Sequence, residues 1–166
     1  MPVTTRAVID DDRPFLLDLY CATRADEFAA LGADPQVVRA LLVQQYGARE
    51  AGWAMSSPGA DDLVILLGDD PVGRLVLERR ADGIRIVDLA VAPAEQGKGI
   101  GTSVLRRVLD EADAVRVPVT LHVVADNPAR RLYERCGFVP VPGNGSHVLM
   151  TCPPTNRAAA QPNTAT

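Results

Sequence analysis

Three glycines at alternate positions, Gly97, Gly99 and Gly101, follow an apolar run that ends at Val91 and precede a stretch with helical periodicity. A strand that runs through a glycine-rich loop into a helix is a physical device for holding an anion. The first-turn amides of the helix have no intrahelical acceptor, the helix dipole favours negative charge there, and glycine puts no Cβ in the way. The spacing excludes two nucleotide templates. A mononucleotide loop needs glycine five residues before its Gly-Lys pair, where Ala92 stands; the dinucleotide fingerprint needs one at Thr102. Two other side chains are placed to move protons. Strand alternation puts Ile84, Ile86, Asp88 and Ala90 on one face, so Asp88 interrupts an apolar row; in a later strand-like run Thr120, His122 and Val124 share a face. If both point into one cleft, Asp88 orients an imidazole that accepts a proton near neutral pH. The alternative is a structural His122 and a proton relayed by water.

The elements that must position these groups follow from local signals. Residues 3–9 have the β-branched content of a first strand. Asp10-Asp11-Asp12-Arg13-Pro14 reads as a helix start, with Phe15, Leu16, Leu19, Tyr20 and Thr23 as its apolar stripe. A shorter segment is expected around 27–31. Asp34-Pro35 repeats the start signal for a second helix running toward Gly52. Strands at 63–67, 72–78 and 84–91, separated by short Gly/Asp/Pro turns, form an antiparallel meander. A helix from Thr102 leads to a strand at 117–124, whose crossover connection makes it parallel to the strand before the glycine loop. A helix at 129–136 is stopped by Gly137, and two short strands follow at 138–141 and 146–151. The sum is one α/β domain over 1–151, with a mixed sheet of six to seven strands, an antiparallel first half, a central parallel pair and about four flanking helices. Residues 152–166, rich in Pro, Ala, Asn and Thr, read as a disordered tail.

Composition narrows the function classes. With 47% hydrophobic and 23% charged residues the chain is ordinary for a globular domain, and a net charge of −4 argues against a nucleic-acid binder. Cys21, Cys136 and Cys152 are odd in number and form no metal-ligand pattern, so reduced thiols and no metal are expected. No stretch reads as a signal peptide or a bilayer span, and the default expectation is a cytoplasmic protein.

The loop also matches Q-x-x-G-x-G at Gln96, Gly99 and Gly101, after a strand end LAV-x-P at 89–93 and before NPARRLYERCGF at 127–138. In this order the chain resembles the GNAT superfamily of N-acetyltransferases, from about Val3 to Met150. The resemblance implies acetyl coenzyme A as co-substrate. It implies that Gln96, Gly97, Lys98, Gly99, Ile100, Gly101 and Thr102 hold the pyrophosphate, and that Leu89, Ala90 and Val91 pair their backbone with the pantetheine arm where the parallel strands splay near Val91 and Val124. It further implies that Asn127 contacts the same arm, beside the bland role of a helix cap, and that Tyr133 lies by the coenzyme sulfur to protonate the leaving thiolate, beside the bland role of a core residue. His122 stands where some members carry a base glutamate. Lys98, Arg130 and Arg131 are candidates for the nucleotide 3′-phosphate. His147 and Cys136 read as structural.

The acceptor side, which the resemblance assigns to about 28–53 and 141–147, is a mixture of Gln44, Gln45, Tyr46 and charges of both signs at Arg24, Glu27, Arg49 and Glu50. It suits an amino acid, a small amine, an antibiotic or a peptide N-terminus equally. The expectation is therefore acetyl transfer to a primary amine of a small molecule or peptide, in a monomer or homodimer without nucleic-acid or membrane partners. The alternatives are a non-catalytic coenzyme A-binding module of the same fold and transfer of a different acyl group.

Overall fold

The computed structural model describes residues 1–29, 32–143 and 145–155. In chain order the elements are β1 (Val3–Ala7), a 3-10 turn (Asp10–Asp12), α1 (Arg13–Ala29), α2 (Pro35–Ser56), β2 (Asp61–Leu67), β3 (Asp70–Arg80) and β4 (Gly83–Val91). After a second 3-10 turn (Pro93–Glu95) come α3 (Ile100–Val115), β5 (Val119–Val124), α4 (Arg130–Arg135), β6 (Val139–Pro140) and β7 (His147–Cys152). The strands form one mixed sheet in the order β1-β2-β3-β4-β5-β7-β6, with β4 and β5 as its parallel pair. This is the expected fold class. The chain divides into two units, 1–78 with 88–101, and 79–87 with 102 onward.

In the first unit, α1 and α2 bury Leu16, Leu19, Tyr20, Cys21 and Leu42, and β2 and β3 bury Val64, Ile65, Val72, Leu75, Val76 and Leu77. Arg6 closes the entry to α1. Its two terminal nitrogens donate to Asp12 at 2.6 and 2.8 Å, and the Asp12 carboxylate also accepts the Ile9 amide at 2.9 Å. Those hydrogen bonds hold the Asp12 carboxyl at about 2, below the ordinary aspartate range. The segment expected at 27–31 is not separate: α1 continues to Ala29, and 30–31 lie outside the described residues. The Asp34-Pro35 start is as expected, with Asp34 Oδ1 accepting the Gln36 amide at 2.7 Å. The helix then runs past Gly52 to Ser56. A glycine inside a helix costs only about 1 kcal/mol, and the contacts of Trp53 described below reward the extra turn.

β3 and β4 approach closely at one point. A Cβ on Gly73 would overlap the Ala90 carbonyl oxygen and press on Ile65 Cδ1. The β2–β3 register shifts between Ile65 and Leu66, beside Gly73, so β3 is irregular where it meets the Ala90 carbonyl, and only glycine leaves that oxygen room.

In the second unit, α3 buries Val104, Leu105, Val108 and Ala112, and β5 buries Val119, Leu121 and Val123 in strict alternation. Tyr133 and Phe138 are both buried and meet edge to face, with ring centroids 5.9 Å apart. Gly137, at φ +99°, ends α4 as its position predicted. Cys152 is the last residue of β7, and Thr155 donates its amide and hydroxyl to Asp113 at 2.7 and 2.6 Å; of the expected tail, 156–166 lie outside the described residues.

Substituting Gly73→Val should lower the urea midpoint, by about 1–3 kcal/mol of stability, since the clash is with backbone that cannot turn aside. Gly47→Ala, in α2 with nothing within 4 Å of the added Cβ, should instead raise stability by up to about 1 kcal/mol. Equilibrium unfolding of the two variants separates close approach from generic glycine effects.

Candidate active site

Gly97 (φ +76°) and Gly99 (φ +82°) both adopt the left-handed region, and a Cβ on either would meet no atom within 4 Å. The loop is thus an open cradle whose floor is backbone. It delivers the chain into α3 at Ile100, so Ile100, Gly101 and Thr102 lie in the first helical turn, where amides have no intrahelical acceptor. This donor set fits a pyrophosphate. Gln96 contributes order to the loop: its Nε2 donates to the Val91 carbonyl at 3.0 Å. Lys98 is drawn to Glu95, 3.0 Å from both carboxylate oxygens. The parallel register of β4 with β5 covers Ile84–Val119, Arg85–Thr120 and Ile86–Leu121 and stops there. The ladder therefore ends before Leu89. Beyond it, the Ala90 carbonyl oxygen lies against Gly73 and the Val91 carbonyl is taken by Gln96.

Asp88 sits in β4 just ahead of that strand end, and its neighbours are arginines. Arg49 Nη1 is 3.7 Å from Asp88 Oδ2, an ion pair too long for a hydrogen bond, and the two side chains are 18% and 22% exposed. Arg49 Nε and Asp88 Oδ2 are both buried without a hydrogen-bond partner. Burial pushes the Asp88 carboxyl above the ordinary aspartate range, against the opposing pull of Arg49, Arg74 and Arg24, while Glu50 adds to the rise. Burial likewise pulls the Arg49 guanidinium below its usual range. That guanidinium is packed against aromatic rings, 4.3 Å from the centroids of Tyr20 and Trp53 and 5.5 Å from that of Tyr46. Arg24 lies over Tyr20 at 4.0 Å.

Arg74 explains why Asp88 has no better partner. Its side chain is 3% exposed, and it donates to Glu50 at 2.7 and 2.8 Å and to Asp62 at 2.8 and 2.7 Å. Two bidentate pairs use four of the five guanidinium N–H donors. Burial alone would lower the Arg74 pKa; the two carboxylates outweigh it and raise it. Arg74 and Asp62 carried no sequence-level reading as site residues, although Arg74 interrupts the apolar run of β3 as visibly as Asp88 interrupts that of β4.

The second unit holds the remaining predicted residues. His122 is exposed, in the alternate set of β5, and pairs across the ladder with Leu149. Asp88 belongs to the first unit and His122 to the second, and Asp88 Oδ2 has no hydrogen-bond partner. Asn127 Oδ1 accepts the Ala129 amide at 2.9 Å, a turn-capping role at the entry to α4. Tyr133 is buried against Phe138. Arg130 donates to the Ala125 carbonyl at 2.7 Å and keeps a buried, unpartnered Nε. Burial raises the Cys136 thiol, as suits a packed cysteine, and His147 is exposed beside the Ser146 hydroxyl at 3.2 Å. Among the described residues no cluster of His, Cys, Asp and Glu is arranged to hold a metal, and no helix is long and apolar enough to cross a membrane.

Comparison with known proteins bears on this arrangement. The acetyltransferase (GNAT) family matches residues 25–138. The fold is similar to that of the PaiA N-acetyltransferase from Thermoplasma acidophilum, solved in complex with coenzyme A, at a TM-score of 0.71 and 16% identity, covering 92% of this chain and 99% of that one. It is also similar to an acetyltransferase from Thermus thermophilus, at a TM-score of 0.67 and 23% identity, covering 92% and 97%. At such identities the likeness is one of fold. A spermidine N(1)-acetyltransferase from Vibrio cholerae is 41% identical over 54 residues, which is 31% of this chain and 31% of that enzyme.

The Asp88 environment sets a stability signature. The folded state binds the Asp88 proton more tightly than the unfolded chain does, so ionising it weakens folding progressively above the unfolded pKa of about 3.9. Asp88→Asn should therefore melt higher than the parent protein near neutral pH, and the difference should vanish as the pH falls below that value. Thermal melts across the range check both limbs. Arg74→Met, which strands two carboxylates, should lose about 3–5 kcal/mol in denaturant unfolding, and adding Glu50→Gln with Asp62→Asn should restore some of it.

Proposed function

The chain belongs to the acetyltransferase (GNAT) family and is an acyltransferase; on that premise we propose that it moves an acetyl group from acetyl coenzyme A to a primary amine by direct attack, with Asp88 taking the ammonium proton. The observation that carries this reading is the buried Asp88 carboxylate, with an unpartnered oxygen and a raised pKa, in β4 just before the strand end that leads into the glycine cradle.

The co-substrate supplies an activated acetyl thioester. The backbone of Gly97 to Thr102 is proposed to hold its pyrophosphate, and Gln96 to keep the loop in shape through Val91. Leu89, Ala90 and Val91 are proposed to lie along its amide-rich arm, with Asn127 as a further contact. Lys98 in this reading balances Glu95 and presents one positive charge at the loop. Asp88 accepts a proton from the acceptor ammonium, which frees a nitrogen lone pair. A carbon–nitrogen bond forms as the carbon–sulfur bond breaks, and the Tyr133 phenol is proposed to give its proton to the departing sulfur; the second proton lost by the nitrogen restores the phenol, and Asp88 gives its proton to solvent. The amide product, the free thiol and one proton released to solvent complete the balance. An ordinary carboxylate is a weak base toward an ammonium. Each unit by which burial raises Asp88 removes about 1.4 kcal/mol of that mismatch, which is a physical reason to keep the group dry. His122 has no step in this mechanism.

Thiol release from acetyl coenzyme A, screened against amino acids, polyamines, aminoglycosides and short peptides, tests the proposal. Turnover with an amine is expected, falling about 10²–10⁴-fold in Asp88→Asn, as loss of a proton acceptor does, and less in Tyr133→Phe. His122→Gln should be unchanged. Coenzyme A binding without release toward any amine would support the non-catalytic module instead, and faster release from succinyl or propionyl coenzyme A would correct the acyl group.

A further inference from the structure

The same cluster speaks to what the acceptor must be. It holds three guanidinium groups, Arg24, Arg49 and Arg74, and three carboxylates, Glu50, Asp62 and Asp88. Arg74 with Glu50 and Asp62 is closed by four hydrogen bonds. What remains is one carboxylate and two cations that lack good partners. Asp88 faces Arg49 across 3.7 Å, and Arg49 reaches Glu50 only at 3.5 Å. Arg24, among the described residues, has the Tyr20 ring at 4.0 Å and no carboxylate. Tyr20 carries both arginines, since Arg49 lies 4.3 Å from the same ring.

We infer, resting on the acetyltransferase reading above, that the acceptor is a small amine that also bears a carboxylate, with Arg24 and Arg49 taking the carboxylate beside Tyr20 while Asp88 takes the ammonium. Such a zwitterion complements one anion and two cations. A polyamine does not: it brings a second and third positive charge to a cluster that already has two arginines without full partners, and like charges in a partly desolvated site are repelled. Guanidinium groups stacked on rings have a fixed plane, which suits bidentate capture of a planar carboxylate. Arg24 and Arg49 are thus specificity-determining residues, distinct from the proton acceptor.

The chain's single tryptophan, Trp53, lies 4.3 Å from Arg49 and gives a reading that needs no turnover. Amino acids, their methyl esters and the matching decarboxylated amines are compared as acceptors, with spermidine as the polycation, in thiol release and in Trp53 fluorescence titrations with coenzyme A present. The free amino acids should show KM values at least tenfold below those of the esters and amines and should alone shift the fluorescence. Arg24→Gln should raise KM for the acids about tenfold or more, leave kcat nearly constant and leave the esters unaffected; Arg24→Lys should recover some of the loss. Esters, decarboxylated amines or spermidine turning over as well as the acids would overturn the carboxylate inference while leaving acetyl transfer intact. Equal effects of Arg24→Gln on acids and esters would do the same. Silence in both assays with every acceptor would overturn it together with the acetyltransferase reading.

Discussion

A guanidinium that is 3% exposed on the face of a β-sheet must have its charge paired, because an unpartnered buried charge is far more costly than a paired one. Arg74 meets that demand by drawing Glu50 from α2 and Asp62 from β2 into two bidentate pairs, and much of the first unit follows from it. The pairs fix the rotation of α2 over the strands. That rotation sends Arg49, one residue before Glu50, toward Tyr20 and Trp53, and α2 continues past Gly52 to keep Trp53 in place. Arg74 also engages both oxygens of Glu50, the carboxylate that Arg49 reaches only at 3.5 Å. Asp88 is left buried, raised in pKa and facing an arginine just out of hydrogen-bond range. A paired guanidinium and a carboxylate without a hydrogen-bond partner on one oxygen are therefore two results of one arrangement.

The donor loop rests on a different constraint, the absence of side chains. Gly97 and Gly99 hold backbone conformations that other residues seldom adopt, and their missing Cβ atoms leave the amides open at the start of α3. Gly73 acts similarly in the neighbouring strand β3, where its missing side chain leaves room for the Ala90 carbonyl oxygen. Glycines far apart in the chain thus shape consecutive pieces of one strand end. The charge cluster and the glycine loop are built by opposite means, dense charge pairing in one place and bare backbone in the other.

What could be read in the sequence was what local chemistry decides. Asp34-Pro35 announces a helix because the cap bonds lie within three residues, and Gly137 stops α4 because only its own φ matters. The glycine cradle and the interruption of an apolar strand by Asp88 were visible for the same reason. Gly52 misled because a glycine's intrinsic preference is small beside the packing of Trp53. Alternation orders faces within a strand, whereas the matching of two strands is set by a register such as Ile86–Leu121, which no local signal carries. The Arg74 network could not be read at all, since its partners lie 12 and 24 residues away and nothing local links them.

The most direct test is the pH dependence of kcat/KM for a good amine acceptor. With ionised Asp88 taking the proton of the bound ammonium, kcat/KM should be level below the ammonium pKa and then fall as a single power of proton concentration at a pKa above the ordinary aspartate range. In Asp88→Asn the residual activity should instead fall from the ammonium pKa downward with no break in the carboxylate range. A parent profile that falls in the same way as Asp88→Asn, or a break in the imidazole range that His122→Gln removes, would contradict a mechanism built on Asp88.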